Sequence, residues 1–375
     1  MTNNLYLKLG KLKSLSICVC LVALFSTTIY AQNVTTPRAS QAAEVSQTIG
    51  LSKITINYSR PSVRGRKIWG GIVPYGFQKI NFGGRGEIPW RAGANENTLF
   101  TNSHELKING KTLPAGKHGL HLAIKEDGNV TVIFSKNNRA WGSYFYKQSE
   151  DVLRAEGKMT DSPMHVEQLM YLFEDVKRNT ATVSLYWGKK KISFPIELDV
   201  KNITLASIKR QMTNLQGFNW QGALSAARYC VQNNLEMDQA LAWANQSISQ
   251  QSNFQNNSLK AMILMRMGKK DDAVKMVDKV MPLGTVQQLH GFGRQLIGAK
   301  MPKKALEVFE YNYKKHKNTW PVNVGLMRGY SANGNFKKAL KHANAALKNV
   351  PKGDTINTPA LKAAIKKLEK KQDIN

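Results

Sequence analysis

The sequence is poor in cysteine and in acidic residues. Only three cysteines occur in 375 residues, and Cys18 and Cys20 fall within an N-terminal apolar stretch that we expect to be removed. Cys230 then remains alone, so an intrachain disulfide is excluded and core packing must hold the chain together. Acidic residues number 25 against 54 Lys and Arg, which gives a net charge of +29 and favours anionic partners.

The first 31 residues have the layout of a signal peptide. Three lysines within residues 8–13 precede an apolar run at 15–29, and that run is shorter than the roughly 20 residues that cross a bilayer. The small Ala31 suits cleavage before Gln32. We therefore expect an exported protein, periplasmic or extracellular, with no transmembrane segment in the mature chain and no nucleic-acid partner.

Residues 32–203 are predicted to form a β domain. Ile54, Ile56 and Tyr58 alternate with polar residues, and Asn109-Gly110 lies between apolar residues as a strong hairpin signal. Further strands are predicted at 118–124, 130–134, 166–173, 181–187 and 192–200. Short strands separated by turns, without alternating helices, predict an antiparallel β-sandwich-like fold.

Two glycine-rich segments between the first strand and the hairpin concentrate arginine and tryptophan. Guanidinium groups can hold carboxylate or phosphate, and an indole can stack on a ring. A long loop of this kind therefore suits a small ligand that is anionic or glycan-like. The candidate ligand-binding residues are Arg60, Arg66, Trp69, Trp90, Arg91, Asn95 and Glu96.

The same residues also have a purely structural interpretation. Glu96 can pair internally with an arginine while the two tryptophans cover the end of the sandwich. The pKa of Glu96 separates the hypotheses: an acid/base role predicts an open cleft and a raised pKa, whereas a salt bridge to Arg66 or Arg91 lowers the pKa.

The sequence predicts no catalytic residue, no metal site and no cofactor. It lacks the Gly-x-Ser-x-Gly pattern of a nucleophile elbow, and Cys230 falls on the apolar face of a predicted helix. His118 and His121 are the one closely spaced imidazole pair. Because they are three residues apart on a strand, they point to opposite faces and cannot share one ion without a β-bulge.

Seven short motifs follow one another between residues 35 and 200. They are Pro37-Arg38-Ala39-Ser40, Gln47-Thr48-Ile49-Gly50, Tyr58-Ser59-Arg60-Pro61, Gly65-Arg66-Lys67-Ile68-Trp69-Gly70, Trp90-Arg91-Ala92-Gly93-Ala94-Asn95-Glu96, Leu113-Pro114-Ala115-Gly116 and Trp141-Gly142. Together they resemble the secreted bacterial domain of unknown function DUF2911. The resemblance implies export and a mainly β domain, without an activity, substrate or cofactor. The chain departs from the usual pattern of this family in two places. Residues 77–89 look like an insertion, and histidines occupy positions 118 and 121.

Residues 204–375 carry a repeat. Ala240, Ala273, Ala305 and Ala339 each precede an aliphatic residue, at separations of 33, 32 and 34. A period near 34 with a small residue at the helix crossing is typical of tetratricopeptide (TPR)-like helix pairs. We predict four such pairs and a final helix at 361–368, an array that binds a protein partner.

The sequence thus predicts a multi-domain chain, β then α, with a signal peptide at 1–31, a β-sandwich-like domain at 32–203 and an α-solenoid of TPR-like pairs at 204–375. From residue 201 onward, 28 Lys and Arg stand against 10 Asp and Glu. This excess either attracts anionic partners or only keeps the solenoid surface solvated and soluble. We interpret the protein as a non-catalytic adaptor with a ligand-binding β domain and a protein-interaction solenoid. The alternative is a cell-envelope hydrolase that acts on anionic glycan or peptide through Arg60, Arg66, Arg91 and Glu96.

Overall fold

The computed structural model describes residues 36–80, 86–316 and 318–375. Within these ranges an antiparallel β half precedes a helical half, which confirms the predicted fold class. The predicted signal peptide lies outside the described residues. Among the described helices, none combines the length and the apolar character that crossing a bilayer requires.

The β half is built from antiparallel strands. Those in the described residues are β1 (Gln41–Ile49), β2 (Ser52–Arg60), β3 (Gln78–Ile80), β4 (Gly86–Ile88), β5 (Thr98–Asn102), β6 (Leu106–Ile108), β7 (Lys111–Leu113), β8 (Gly116–Ile124), β9 (Asn129–Ser135), β10 (Asp151–Glu174) and β11 (Thr180–Glu197). Nine of the described strands form one sheet in the order β1-β2-β5-β8-β9-β10-β11-β6-β7, and β3 pairs only with β4. The β3–β4 hairpin lies in the predicted insertion at 77–89, whose residues 81–85 are outside the described ranges.

Local sequence explains several of these strands. Ile54 and Ile56 in β2 are fully buried, as their alternation with polar residues predicts. Asn109 and Gly110 both have positive φ, 49° and 77°, the conformation that a type I′ turn needs between β6 and β7.

Two strands are longer than the sequence pattern suggests. β11 runs without a break from Thr180 to Glu197, where the pattern indicated separate strands at 181–187 and 192–200. Gly188, at φ 60°, lies at a register shift against β10, so the strand is bent rather than ended there. The first half of β10, residues 151–165, was not predicted, although Ala155 and Met159 on one of its faces are buried.

The sheet folds over so that β2 approaches β10. Beyond β2, the amide of Leu169 donates to the carbonyl of Pro61 at 3.0 Å, and Ser62 forms a bridge with Gln168. The rings of Tyr58 and Tyr171 pack edge to face at 4.8 Å between centroids. One continuous sheet therefore encloses one core, which gives the sandwich-like arrangement.

The helical half is a stack of helix pairs. The described helices are α1 (Val200–Met212), α2 (Trp220–Asn233), α3 (Met237–Gln250), α4 (Phe254–Arg266), α5 (Lys270–Val280), α6 (Val286–Gly298), α7 (Pro302–His316), α8 (Trp320–Ala332), α9 (Phe336–Asn349) and α10 (Asn357–Glu369). The four repeat alanines lie in α3, α5, α7 and α9, and each is 0% exposed. They mark the second helix of the pairs α2/α3 to α8/α9, which agrees with the predicted register.

Helix α1 joins the two halves without a free linker. The Asp199 carboxylate caps it by accepting a hydrogen bond from the Asn202 amide at 3.2 Å. Val200 and Ile203 pack against the β core, whereas Leu205 belongs to a helical core. The change of domain therefore falls within α1, and the boundary at 203 stays a prediction.

We expect enlargement of a repeat alanine to destabilise the helical half. Replacing Ala339 by Leu inserts a larger side chain at a fully buried crossing, which costs about 1–3 kcal/mol of unfolding free energy. Asn344→Leu, at an exposed position of the same helix, is the matched control. Urea unfolding followed by circular dichroism measures both, and an equal stability of the two variants would contradict close packing at Ala339.

Candidate functional site

The segment from Arg60 to Gly76 is held against the sheet by its backbone. The Val63 amide donates to the Glu167 carbonyl at 2.8 Å, and the Gly76 amide donates to the Ile124 carbonyl at 2.7 Å. Ile68 and Val73 are buried in the β core. This segment is therefore an ordered cover on one end of the sheet.

Trp69 of this segment packs against two further tryptophans, Trp90 and Trp187. Trp187 of β11, 1% exposed, stacks on Trp90 at 6.0 Å with 15° between the ring planes. Trp69 meets Trp90 and Trp187 edge to face, at 5.9 Å and 6.0 Å. The rings of Trp69 and Trp90 thus bury much of their surface against each other and Trp187, as the structural interpretation expects.

Arg60 and Arg66 use their guanidinium groups to bind backbone carbonyls. Nε of Arg60 donates to the Leu169 carbonyl at 2.9 Å. Arg66 donates to the carbonyls of Val63 at 3.1 Å and Ser62 at 2.6 Å. Both arginines therefore stabilise the path of the chain after β2.

The loop at 90–96 is fixed by hydrogen bonds despite a bent backbone. Ala92 and Asn95 have positive φ, 54° and 61°, a conformation that non-glycine residues seldom adopt. The Ala92 carbonyl accepts from the hydroxyl of buried Tyr171 at 2.8 Å, and the Asn95 side chain donates to the Ser40 carbonyl at 3.0 Å. Backbone strain of this kind is common where a loop must present a side chain in one place.

Glu96 forms an ion pair, but its partner is neither Arg66 nor Arg91. Nη1 of Arg38 lies 2.5 Å from Oε1 of Glu96, and both side chains are about half exposed. The hydrogen bond from Arg38 lowers the pKa of Glu96 below its ordinary value. Arg38, which precedes β1, also lies over the Trp141 ring at 5.8 Å. Glu96 is therefore an ionised carboxylate at the surface, paired with a residue just before β1.

Arg91 is left without a carboxylate. Its Nη1 donates to the Asn95 carbonyl at 2.5 Å, and its guanidinium lies 5.0 Å above the Tyr144 ring. The group also lies against Gly142, where a Cβ atom would come within 2.2 Å of the guanidinium carbon. Among the described residues, Arg91 makes no ion pair.

A pocket of about 350 Å³ opens beside Arg91, and we call it the Arg91 pocket. It brings Trp90 and Arg91 together with residues of the β3–β4 hairpin and of the loop after β9. Its lining comprises Pro74, Gly76, Gln78, Lys79, Ile88, Pro89, Trp90, Arg91, Ser143 and Tyr144. Of the seven predicted site residues, only Trp90 and Arg91 line it; Arg60, Arg66, Trp69, Asn95 and Glu96 do not.

Sequence reasoning missed a serine–histidine pair in the wall of this pocket. Ser143 Oγ lies 2.8 Å from Nδ1 of His121, and both residues are almost fully buried. Burial, and then the nearby Arg91 charge, lower the pKa of His121 to about 4. Because protonation of this imidazole is so unfavourable, the pair is better suited to orienting the Ser143 hydroxyl than to general-base catalysis.

His118 lies on the other face of β8. Its Nε2 is 3.2 Å from the Pro114 carbonyl, and its ring meets Phe134 edge to face at 6.4 Å. His121 instead meets the Tyr146 ring, so the two imidazoles have separate surroundings, as their spacing predicts. Within the described ranges, no group of three metal-ligating side chains comes together.

The first helices of the repeat pairs, with α10, form a second candidate surface that we call the first-helix face. A groove of about 470 Å³ between α4 and α6 is lined by Met262, Met265, Arg266 and Lys300 among others. A second groove of about 220 Å³ between α8 and α10 is lined by apolar residues with Arg328 and Lys367. In the described lining of both grooves, every charged residue is basic.

Beside the second groove, α6 carries His290 and α8 carries Arg328. Nδ1 of His290 and Nε of Arg328 are buried without a hydrogen-bond partner in the described residues. Burial, followed by repulsion from Arg328 and Arg294, lowers the pKa of His290 to about 4. Burial and the Arg294 charge also lower the pKa of Arg328, so positive charges are crowded here.

Two family models match consecutive parts of the chain. Residues 40–196 match the family described as "Protein of unknown function (DUF2911)", and residues 229–353 match "Psidin, N-terminal TPR repeats region". The resemblance drawn from the motifs and the alanine period is thereby confirmed, with a DUF2911 region followed by a TPR-related region. A search of the curated proteins finds no match.

Solved structures with similarity to this chain include three repeat-containing examples. A tetratricopeptide repeat protein from Parabacteroides merdae has 12% identity over 47% of this chain and 75% of its own, with a TM-score of 0.32. MamA from Desulfovibrio magneticus RS-1 has 17% identity over 41% and 97%, with a TM-score of 0.27. YrrB, described as a TPR protein with an unusual peptide-binding site, has 15% identity over 44% of this chain and 89% of its own, with a TM-score of 0.28. Each alignment covers less than half of the present chain.

We expect Gly142→Ala to disturb the placement of Arg91. Gly142 has a φ of 64°, and an added methyl group would overlap the guanidinium. Gly65→Ala is the matched control, because Gly65 has a φ of 66° with open space around its Cα. Both variants pay the left-handed strain of about 1–2 kcal/mol, and Gly142→Ala should lose at least about 1 kcal/mol more through overlap. Equal losses in urea unfolding would mean that Arg91 is not fixed against Gly142.

The stability of the β half should fall below pH 6.5 through His121. Because the folded pKa is about 4 and the ordinary value is 6.5, the unfolded chain takes up the proton first as the pH falls. The contribution is therefore complete above pH 6.5 and is lost towards pH 4, by about 2 kcal/mol at pH 5. His121→Gln should reduce this loss, whereas His165→Gln, at an exposed position, should not. Unfolding measured at pH 7.5 and 5 compares the three proteins, and an unchanged pH dependence in His121→Gln would refute the assignment.

Proposed function

We propose that this protein is an exported, non-catalytic adaptor whose helical half binds an acidic segment of a protein partner while its β half holds a small ligand. TPR-like repeats are a protein-interaction architecture, since stacked helix pairs offer an extended surface. The observation that carries the proposal is the charge of the first-helix face.

Five basic side chains lie on or beside that face, and no acidic side chain lines its two grooves in the described residues. They are Arg266, Arg294, Lys300, Arg328 and Lys367. Cationic surfaces attract acidic partners at long range and raise the rate of encounter. An acidic protein segment is therefore the partner that this face fits best.

Arg328 supplies the most specific contact point. Burial and then repulsion from Arg294 lower its pKa, and the nearby Asp373 charge offsets only part of this effect. Its Nε hydrogen has no acceptor in the described residues, and a buried donor without an acceptor is costly. Because Arg328 also lines the groove between α8 and α10, a carboxylate of the partner placed in that groove would offset the repulsion from Arg294.

The grooves also contain apolar surface. Trp320, Val324 and Met327 line the groove at α8 and α10, and Met262 and Met265 line the groove at α4 and α6. Methionine adapts its shape to varied partners. The expected segment therefore combines acidic residues with apolar ones.

The hydrolase alternative receives no comparable support from the geometry. It needs a carboxyl group that retains a proton near neutral pH, and Glu96 is the residue it names. The ion pair with Arg38 instead lowers the pKa of Glu96. We therefore place the β half with ligand-binding domains in this proposal.

Export is proposed from the N-terminal residues alone. Basic residues followed by a short apolar run and a small residue at Ala31 form the layout of a signal peptide. The proposed location is the periplasm or the extracellular space, and an acidic protein segment is then a more suitable partner than nucleic acid.

A labelled peptide of alternating Glu and Leu tests the helical half. We expect the protein to bind it in fluorescence anisotropy, with affinity that falls as salt rises because the attraction is screened. Arg328→Gln should weaken binding about tenfold, which corresponds to about 1.4 kcal/mol. Lys279→Gln, at an exposed position of the second helix α5, should change the affinity less than twofold.

Two outcomes would count against the proposal. Equal affinity for a Lys-Leu peptide would remove the electrostatic argument, and an unaltered affinity in folded Arg328→Gln would remove the contact point. If Arg328→Gln does not fold, Lys367→Gln replaces it, since Lys367 is exposed and lines the groove between α8 and α10.

A further inference from the structure

The Arg91 pocket contains a cation whose charge is not balanced by the protein. Every Asp and Glu of the sequence lies in the described ranges, and none of them forms an ion pair with Arg91. Glu96, five residues further along, is engaged by Arg38 at 2.5 Å instead. A half-buried guanidinium without a counterion is costly, because partial desolvation is not repaid by an opposite charge.

The orientation of Arg91 is nevertheless fixed. Nη1 is bound to the Asn95 carbonyl, one face of the group lies over Tyr144, and Gly142 lies against it. A guanidinium has five N–H donors, and the one hydrogen bond to Asn95 occupies only part of them. A pre-positioned arginine that keeps donors for an additional acceptor is a good receptor for an oxyanion.

The remaining lining agrees with this chemistry. Lys79 of β3 supplies a second cation, and no acidic side chain lines the pocket. Ser143 adds a hydroxyl whose position is set by His121 at 2.8 Å. Since His121 has a pKa of about 4, the imidazole is neutral at pH 7 and adds no charge of its own.

Size and apolar walls restrict the ligand further. A volume of about 350 Å³ lies at the small end of the usual range for small-molecule sites, about 300–1,000 Å³. Trp90, Tyr144 and Pro89 give the pocket apolar and aromatic surface, which favours a ligand with an apolar or ring body.

We propose that the Arg91 pocket binds a small organic oxyanion, a carboxylate or phosphate ester, with its anionic group on Arg91 and Lys79 and its apolar body against Trp90 and Tyr144. This inference rests on the proposed function, because it names the chemical class of the small ligand that the β half is proposed to hold. It replaces the broader loop containing Arg60, Arg66 and Glu96 as the ligand site.

Four ligands of similar shape test the proposal by isothermal titration of the whole protein. Benzoate and phenyl phosphate carry the two oxyanions, benzyl alcohol is neutral, and benzylamine is a cation. We expect at least one of the two anions to bind at least tenfold more tightly than benzyl alcohol, and benzylamine not to bind. The tighter anion identifies whether carboxylate or phosphate is preferred.

Variants locate the binding. Arg91→Gln should weaken the anion at least tenfold, and Lys79→Gln should weaken it about threefold. Arg139→Gln is the matched control, because Arg139 is exposed and lies outside the pocket lining. If Arg91→Gln does not fold, the Lys79→Gln variant and the ranking of the four ligands decide the question.

The proposal is overturned if benzyl alcohol binds as tightly as both anions, or if folded Arg91→Gln binds the anion as the parent protein does. The Glu-Leu peptide separates this result from the proposed function, since that peptide binds the helical half. Retained peptide binding with no anion binding would refute the pocket alone. Loss of peptide binding with retained anion binding would refute the adaptor proposal alone.

Discussion

The contact among Trp187, Trp69 and Trp90 determines where the irregular parts of the β half can lie. Trp187 belongs to a long strand, whereas Trp69 and Trp90 come from the two segments that carry the predicted ligand residues. A chain with one cysteine among its described residues has no disulfide to hold such segments, so aromatic burial takes this role. The backbone of Trp90 is also bonded to Leu122 of β8 in both directions, at 2.9 and 2.8 Å. The position of the next residue, Arg91, therefore follows from the core rather than from a flexible loop.

The small number of acidic residues leaves Arg91 without an ion-pair partner. In a chain with 54 basic and 25 acidic residues, internal pairing cannot be complete. Arg38 takes Glu96, so Arg91 in the β half has no carboxylate partner, and Arg328 in the helical half makes no ion pair within the described residues. Both guanidinium groups are partly buried, and the Asp373 charge near Arg328 offsets only part of the effect of burial and of Arg294. An arginine without an ion pair thus lies beside open space in each half, Arg91 at its pocket and Arg328 at its groove.

Sequence patterns predicted the features that depend on local periodicity. The alternation of apolar and polar residues predicted β2, and Asn109-Gly110 predicted the β6–β7 hairpin. The spacing of about 34 residues between alanines predicted the four helix pairs. Contacts between distant residues were beyond such patterns. The ion pair of Arg38 and Glu96 spans 58 positions, and the pocket joins Lys79, Arg91 and Ser143 from three separate elements. Trp90 and Arg91 line one pocket, whereas Arg60 and Arg66 bind backbone carbonyls instead; their grouping as ligand-binding residues stays a prediction.

The junction between the halves bears on how the two surfaces act together. Helix α1 places Val200 and Ile203 on the β core and Leu205 on a helical core, and Arg178 of the β half donates to the Asn233 side chain at 3.0 Å. Such a junction joins both cores through one helix rather than through a free linker. A ligand in one half can shift the other only if it binds two arrangements of this junction with different affinity. The proposed binding at the pocket and at the first-helix face would use side chains that already line these surfaces, and it would need no such rearrangement. In the adaptor that we propose, the two surfaces act as separate sites on one chain, so that a small ligand and a protein partner could be held together.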